Sequence, residues 1–212
     1  MQKNTLIIFI LGILIGTILI ADDSTLSFRN SPPILDNIPG FDFNEDTSHI
    51  ISVSASDSDD DGLIFICTST TNINCSVDNT DITFIPDPDY YGVEMMTITV
   101  QDDSEAAEED SQVVEVTVNN VNDPPVATTG LSGTTNEEES VDIILSGSDI
   151  DNDNSSLIFT LNSDGTNGEV TINGSVATYD PDTDYSGSDS FSYTVSDGEY
   201  DDSATVTVTI NN

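Results

Sequence analysis

The chain has 212 residues with 40 Asp and Glu against 2 Lys and Arg, a formal net charge of -38 at pH 7. That balance excludes a nucleic-acid surface and disfavours anionic lipid, because both partners carry the same sign as the protein. A length of this order holds one large or two ordinary domains, and 36% hydrophobic residues in alternating Val, Ile, Thr, Phe and Tyr runs exclude a disordered acidic tail. Cations are the natural partners, although a halophilic source, where carboxylates hold hydration, would produce the same excess of acid.

The chain starts Met1-Gln2-Lys3-Asn4-Thr5, continues as an apolar run from Leu6 to Ile20, and then reads Ala21-Asp22-Asp23. A basic start, a hydrophobic segment and a small residue before a polar end are the plan of a secretory signal helix over residues 1–21, cleaved after Ala21. Leu19 departs from the A-x-A pattern, which leaves an uncleaved membrane anchor as the alternative, with a run shorter than the roughly 20 residues of a spanning helix. Both readings place the protein outside the cell, secreted or at the surface.

Residues 22–30 form a polar lead, and Ser31-Pro32-Pro33 opens a first unit assigned to residues 31–120. Within it Ile51/Val53/Ala55, Ile82/Phe84, Met96/Ile98/Val100 and Val114/Val116/Val118 place every second side chain on one face, the mark of half-buried strands. Cys67 and Cys75 flank a Ser/Thr/Asn-rich segment, and an oxidising compartment would let them pair as a disulfide across neighbouring strands. Alternation of faces leaves two separate buried thiols as the other possibility. Two thiols and a single His, His49, are too few for a zinc site.

Asn119-Asn120-Val121-Asn122-Asp123-Pro124-Pro125 follows, a run of oxygen-bearing side chains ending in two prolines that hold the chain extended. Residues 121–125 are the linker, and residues 126–212 repeat the first unit landmark by landmark. Asn44-Glu45-Asp46 answers Asn136-Glu137-Glu138, Ser56-Asp57-Ser58-Asp59-Asp60-Asp61 answers Ser148-Asp149-Ile150-Asp151-Asn152-Asp153, and Leu63-Ile64-Phe65 answers Leu157-Ile158-Phe159. Asp87-Pro88-Asp89-Tyr90-Tyr91-Gly92 answers Asp182-Thr183-Asp184-Tyr185-Ser186-Gly187. The alternating runs recur as Ile143/Leu145, Phe191/Tyr193/Val195 and Val206/Val208/Ile210. No stretch after Ala21 has helical period. The fold class is therefore all-β, two tandem antiparallel Greek-key sandwiches of about seven strands each. Tyr90 and Tyr185 are expected at corners, hydroxyls bonded to backbone, with Gly92 and Gly187 supplying turns at positive φ. Asn211-Asn212 stands where another linker would begin, and both a short secreted chain and a piece of a longer array fit that spacing.

Three acidic groups recur in both units: Glu45 and Asp46 with Glu137, Glu138 and Glu139; Asp57, Asp59 and Asp61 with Asp149, Asp151 and Asp153; Asp87 and Asp89 with Asp182 and Asp184. A hard cation such as Ca²⁺ takes six to eight oxygens at flexible geometry, and carboxylates at alternate loop positions, Asn and backbone carbonyls supply them. Solvated turn carboxylates are the bland alternative. Asp57-x-Asp59-x-Asp61-Gly62 matches the opening of an EF-hand loop, but Thr68 stands where the bidentate Glu belongs, inside an expected strand, so that reading is rejected.

This pattern resembles the cadherin-like tandem repeats of bacterial and archaeal surface proteins over roughly residues 31–212. The Asn-x-Asn-Asp-Pro-Pro junction and the Asp-Tyr-x-Gly with Tyr-Thr-Val-Ser-Asp-Gly are the most specific parts. The resemblance implies immunoglobulin/cadherin-like sandwiches with calcium held between them. Carried onto this sequence, the ligand set is Glu45, Asp87 and Asp89 of the first unit, Asn122 and Asp123 of the linker, and Asp149, Asp151 and Asp197 of the second unit. Asn120 stands where the family has an aspartate, Pro124 replaces a ligating asparagine, and Asp87-Pro88-Asp89 replaces Asp-Arg-Glu.

The function expected is a non-enzymatic, calcium-rigidified stalk or adhesion module, with other surface proteins, glycans or like modules as partners and the membrane reached only through an uncleaved N-terminus. A carbohydrate-binding accessory module and a halophilic structural spacer are the alternatives. Catalysis lacks its parts: there is no Trp to platform a sugar and a single His to build a triad. The sole lysine, Lys3, lies in the signal, which excludes Lys-to-Asn crosslinks. Asn74-Cys75-Ser76, Asn154-Ser155-Ser156 and Asn173-Gly174-Ser175 are glycosylation sequons.

Overall fold

The structure is a computed structural model that describes residues 30–105 and 107–212. The expected signal helix, its cleavage position and most of the polar lead lie outside the described residues. Among the described residues every regular element is a strand, and no helix is long and apolar enough to cross a membrane.

The first unit contains β1 (Ile34–Leu35), β2 (Phe41–Asn44), β3 (His49–Ser52), β4 (Ala55–Ser56), β5 (Leu63–Thr68), β6 (Ile73–Asp78), β7 (Asp81–Pro86), β8 (Gly92–Asp102) and β9 (Glu109–Asn119). The second contains β10 (Val126–Ala127), β11 (Ser132–Asn136), β12 (Val141–Ile144), β13 (Gly147–Ser148), β14 (Ile158–Ser163), β15 (Gly168–Asn173), β16 (Val176–Pro181), β17 (Gly187–Ser196) and β18 (Asp201–Asn211). Each unit is a four-stranded sheet, β2-β9-β8-β5 or β11-β18-β17-β14, over a three-stranded one, β3-β7-β6 or β12-β16-β15, with a two-strand ribbon, β1-β4 or β10-β13.

The alternating runs become the core. Ile82, Phe84, Met96, Ile98, Val100, Val114, Val116 and Val118 are buried in the first unit, and Phe191, Tyr193, Val195, Val206, Val208 and Ile210 in the second. The two units bury separate clusters, one between residues 35 and 118 and one between 127 and 210. His49 belongs to the first core, stacked on Phe41 and Phe43 with ring centres 4.9 and 5.4 Å apart.

Pairing departs from antiparallel once in each unit, where β2 runs parallel to β9 and β11 parallel to β18. The chain enters a unit at one end and leaves at the other, so its first long strand and its last run the same way and can pair only in parallel. The run Ile51/Val53/Ala55 is also two strands, not one. β3 pairs with β7 and β4 with β1, and Val53, between them, is buried while its N–H donates to the Thr80 carbonyl at 2.8 Å. Leu145 does the same in the second unit with the Ser175 carbonyl.

Cys67 and Cys75 form a disulfide with Cα atoms 6.2 Å apart. β5 and β6 are consecutive in the chain but belong to different sheets, so this bond ties the two layers together. Gly92 and Gly187 have φ of +151° and +145°. A Cβ at Gly92 would lie 2.8 Å from the Tyr90 hydroxyl, and one at Gly187 3.0 Å from that of Tyr185, so each corner needs glycine for space as well as conformation. Tyr185 donates to the Ser188 carbonyl as the corner reading expects, whereas Tyr90 donates to the Glu94 carboxylate.

Candidate metal centre at the junction

The linker between β9 and β10 is held by side chains from both units. Glu45 follows β2 and extends the parallel pairing, its N–H donating to the Asn119 carbonyl at 3.0 Å. Its side chain is buried and its Oε1 accepts the Val121 N–H at 2.7 Å. On the far side Asp151 accepts the Asp123 N–H through Oδ2 at 2.7 Å and the Asn120 amide through Oδ1 at 2.9 Å. Asn122 donates to Asp197 Oδ2 at 2.7 Å and accepts from the Asn152 amide at 3.2 Å. Pro124 confines Asp123 to extended backbone, which fixes where its carboxylate points.

Asp46 and Asp89 occupy turns at φ of 57°, a left-handed conformation that Asp tolerates better than most residues, and the Asp89 N–H donates to Asp46 Oδ1 at 3.3 Å. These two turns bring their carboxylates to the linker: oxygens of Asp46, Asp89 and Asp123 lie within 4.8 Å of one another. They border a cleft of about 410 Å³ that Asp89, Asp123, Pro124, Asp149 and Ile150 line.

Electrostatics leave this centre unbalanced. Asp123 Oδ2 and Asp149 Oδ2 are both shut off from solvent with no hydrogen-bond partner. Burial pushes the Asp123 carboxyl above its ordinary range, and the charges of Asp46, Asp151, Asp89 and Asp149 push the same way. The sequence has two basic residues, Lys3 and Arg29, and neither falls in 30–212. Buried carboxylate oxygens therefore have no cationic side chain among the described residues to pair with, and this hard-oxygen donor set fits a calcium ion in type.

Of the residues implied by the sequence, the structure brings Asp89, Asp123 and Asp149 to the cleft. Glu45, Asn122, Asp151 and Asp197 have their polar atoms engaged in holding the linker and its supports. The N–H groups of Tyr200 and Glu199, with the Asn122 amide, hold the Asp197 carboxyl below the usual range despite some desolvation. Asp87 is not one of the three carboxylates that meet there: its N–H donates to the Asn72 carbonyl and its own carbonyl accepts from the Tyr90 N–H. Asp46 takes its place in the cluster. Its signal is the repeated Asn-Glu followed by an acid, Asn44-Glu45-Asp46 and Asn136-Glu137-Glu138, in which the acid after Glu sits at positive φ in both units, 57° at Asp46 and 64° at Glu138.

Residues 30–117 and 122–211 each match the bacterial Ig domain family, Big_9. The chain belongs to that family and carries the domain in two tandem copies. No curated protein matches it. Among solved structures it is similar to Drosophila N-cadherin EC1-4, with a TM-score of 0.55 and 18% identity over 86% of this chain and 50% of that one. It is also similar to the protocadherin gamma B2 extracellular cadherin domains 1-5, with a TM-score of 0.54 and 14% identity over 87% of this chain and 41% of that one. Human protocadherin-24 EC1-2 aligns over 87% of this chain and 99% of its own length, with a TM-score of 0.53 and 13% identity. The chain thus spans half or less of the first two and nearly all of the third, and at these identities the likeness is one of fold.

Proposed function

We propose that this protein is a non-enzymatic, calcium-binding extracellular module, a stalk or adhesive segment stiffened at the junction between its two domains. The convergence of Asp46, Asp89 and Asp123 on a centre with buried, unpartnered oxygens and no basic residue carries this reading. Asp46, Asp89 and Asp123 act as ligands, with Asp149 across the cleft. Glu45, Asn122, Asp151 and Asp197 hold the linker so that Asp123 meets the other two. Without a cation these carboxylates repel across the hinge. A bound calcium ion supplies the positive charge that turns this repulsion into attraction among three segments of chain.

The reading places the protein in the secreted or cell-surface space, with other surface proteins, glycans or copies of like modules as partners. Its two Ig-like domains supply spacing and surface, and no catalytic step is assigned to them.

Calcium titration by calorimetry tests it. The chain should bind calcium with a dissociation constant on the order of 0.1 to 1 mM, ordinary for an extracellular module. In 10 mM calcium, mass action then stabilises the site-bearing fold by roughly 1.5 to 3 kcal/mol. Asp123→Asn should abolish this junction binding. Equal stabilisation by sodium chloride at matched ionic strength would instead identify a halophilic spacer.

A further inference from the structure

We propose that the free edge of β5 is a self-association site, at which a second copy of this chain pairs its own β5 antiparallel to the first across a two-fold axis. β5 and β6 close one flank of the first unit, each the last strand of its sheet. The Gly62 carbonyl accepts the Asp103 N–H at 2.8 Å and so extends the β5–β8 ladder by one bonded pair. Bonded and non-bonded pairs alternate along an antiparallel ladder, so Ile64, Ile66 and Thr68 turn their backbone groups to β8, while Leu63, Phe65 and Cys67 turn theirs to the open side. Among the described residues no turn or loop bonds to those outward groups.

The edge of β6 and the matching edges of the second unit are guarded. At β6 the Thr70 hydroxyl accepts the outward Ile73 N–H at 3.1 Å, the Ser69 hydroxyl accepts the Cys75 N–H at 3.0 Å, and the Thr70 N–H donates to the Ile73 carbonyl at 2.9 Å. In the second unit Asp164 Oδ1 accepts the outward Val170 N–H of β15 at 2.8 Å, and β14, the counterpart of β5, loses register between Leu161 and Ser163. On the other flank of the first unit β2 and β3 have 4 residues each, and β2 carries Asp42. Short strands, charges, bulges and covering loops are the devices that keep sheet edges from pairing. β5 has none of them: its 6 residues hold unbroken register and include no charge and no proline.

Charge selects the occupant. Residues 62–77 hold no charged side chain, the longest such run within 30–212, in a chain whose net charge is -38. Two copies repel through their acidic surfaces, and at this flank they meet neutral to neutral. Pairing centred on Phe65 sets Leu63 against Cys67 of the second copy, backbone to backbone. On the outer face it lays Ile64, 51% exposed, against Ile66 of the second copy, 43% exposed, so that each covers the other. The same register puts Asp61 of one copy beside Ser69 of the other and keeps the two acidic loops apart, which a parallel pairing would not do. Both free edges are used up, so the assembly closes as a dimer. The pairing needs no calcium; it names a partner for the module proposed above and rests on that reading for its extracellular, adhesive role alone.

Sedimentation equilibrium of the full chain, in chelator and at about 0.15 M salt where surface charge is screened within about 8 Å, tests the edge apart from the junction. The wild type should sediment as monomer and dimer in exchange. Ile64→Glu with Ile66→Glu sets carboxylate against carboxylate across the axis and should weaken the dimer at least about tenfold. Ile64→Lys with Ile66→Glu sets ammonium against carboxylate and should restore it, a rescue that a damaged fold would not show. Ile158→Glu, at the matching position of β14, should leave the dimer unchanged. A wild type that stays monomeric up to about 1 mM overturns the proposal, whatever other strand then binds the edge. A dimer that keeps its strength in the doubly acidic variant overturns it too. Neither result touches calcium binding at the junction, which the calorimetry above reads by itself.

Discussion

The two domains share strand order, and β6–β7 and β15–β16 share register, yet they fill the same space by different chemistry. Ile73 pairs with Pro86 and Cys75 with Phe84 in the first, while Gly168 pairs with Pro181 and Val170 with Tyr179 in the second. The first domain fills the space with two fully buried apolar side chains, Ile73 and Phe84, and ties its sheets with the Cys67–Cys75 disulfide. The second has a glycine and a tyrosine there. The Tyr179 hydroxyl donates to Asp189 Oδ2 at 2.8 Å, and Asp189 also accepts the Thr166 and Asn167 N–H groups at 3.1 and 2.8 Å. Register, set by alternation and turns, defines this fold, while the filler is exchangeable as a set. A larger ring needs a missing side chain beside it and a buried acceptor for its hydroxyl.

Breaking the second set should have the largest effect. A Cβ at Gly168 would fall 2.5 Å from the Tyr179 ring and 2.7 Å from the Asp180 carbonyl oxygen on the paired strand, and that backbone cannot yield. Gly168→Ala should destabilise the second domain by about 3 kcal/mol and leave the first unchanged, read as one displaced transition in denaturant unfolding. Breaking the first set should cost slightly less. Reducing the disulfide, or replacing both cysteines by Ser, opens a loop of sequence separation 8 and should cost the first domain about 2.5 kcal/mol by chain entropy, visible as a shift of its own melting transition. Tyr179→Phe removes one donor from the buried Asp189 and should cost about 1 to 2 kcal/mol.

Acid sharpens the contrast with the smallest effect. Burial pushes the Asp189 carboxyl up, but the N–H groups of Asn167, Ser190 and Thr166 and the Tyr179 hydroxyl outweigh it and hold it below the ordinary 3.8. A depressed carboxyl contributes stability that is present above the unfolded value and lost as pH falls through the folded one, so this contribution should fade below about pH 4. Asp123 has the opposite sign. Its raised carboxyl contributes stability fully present below 3.8 and lost as pH rises through the raised value. In chelator the Asp123 contribution should therefore weaken toward neutral pH, and calcium should restore it. Chelator melts across this range, with Asp123→Asn as the control, check the sign.

Much of the fold was legible because period-two alternation survives translation into strands: Met96/Ile98/Val100 and Val206/Val208/Ile210 are buried as their spacing requires. The partner change at Val53 was not, since a residue that leaves one sheet for another keeps its alternation. Nor was the place of the disulfide, because sequence spacing does not say that β5 and β6 belong to different layers. At the junction, residue type carried Asp89, Asp123 and Asp149 to one cleft, but Asp46 and Asp87 could be told apart only by turn geometry. Asp46 sits at positive φ and accepts the Asp89 N–H, while the Asp87 backbone is bonded to Asn72 and Tyr90.

Small-angle scattering of the full chain, recorded in chelator and then in calcium, tests the stiffening of the junction most directly. The account predicts that calcium narrows the distribution of distances between the two domains and lengthens the maximum dimension, and that Asp123→Asn removes most of this response while keeping both domains folded. Profiles that superimpose with and without calcium, or an Asp123→Asn chain that stiffens as the wild type does, would contradict it.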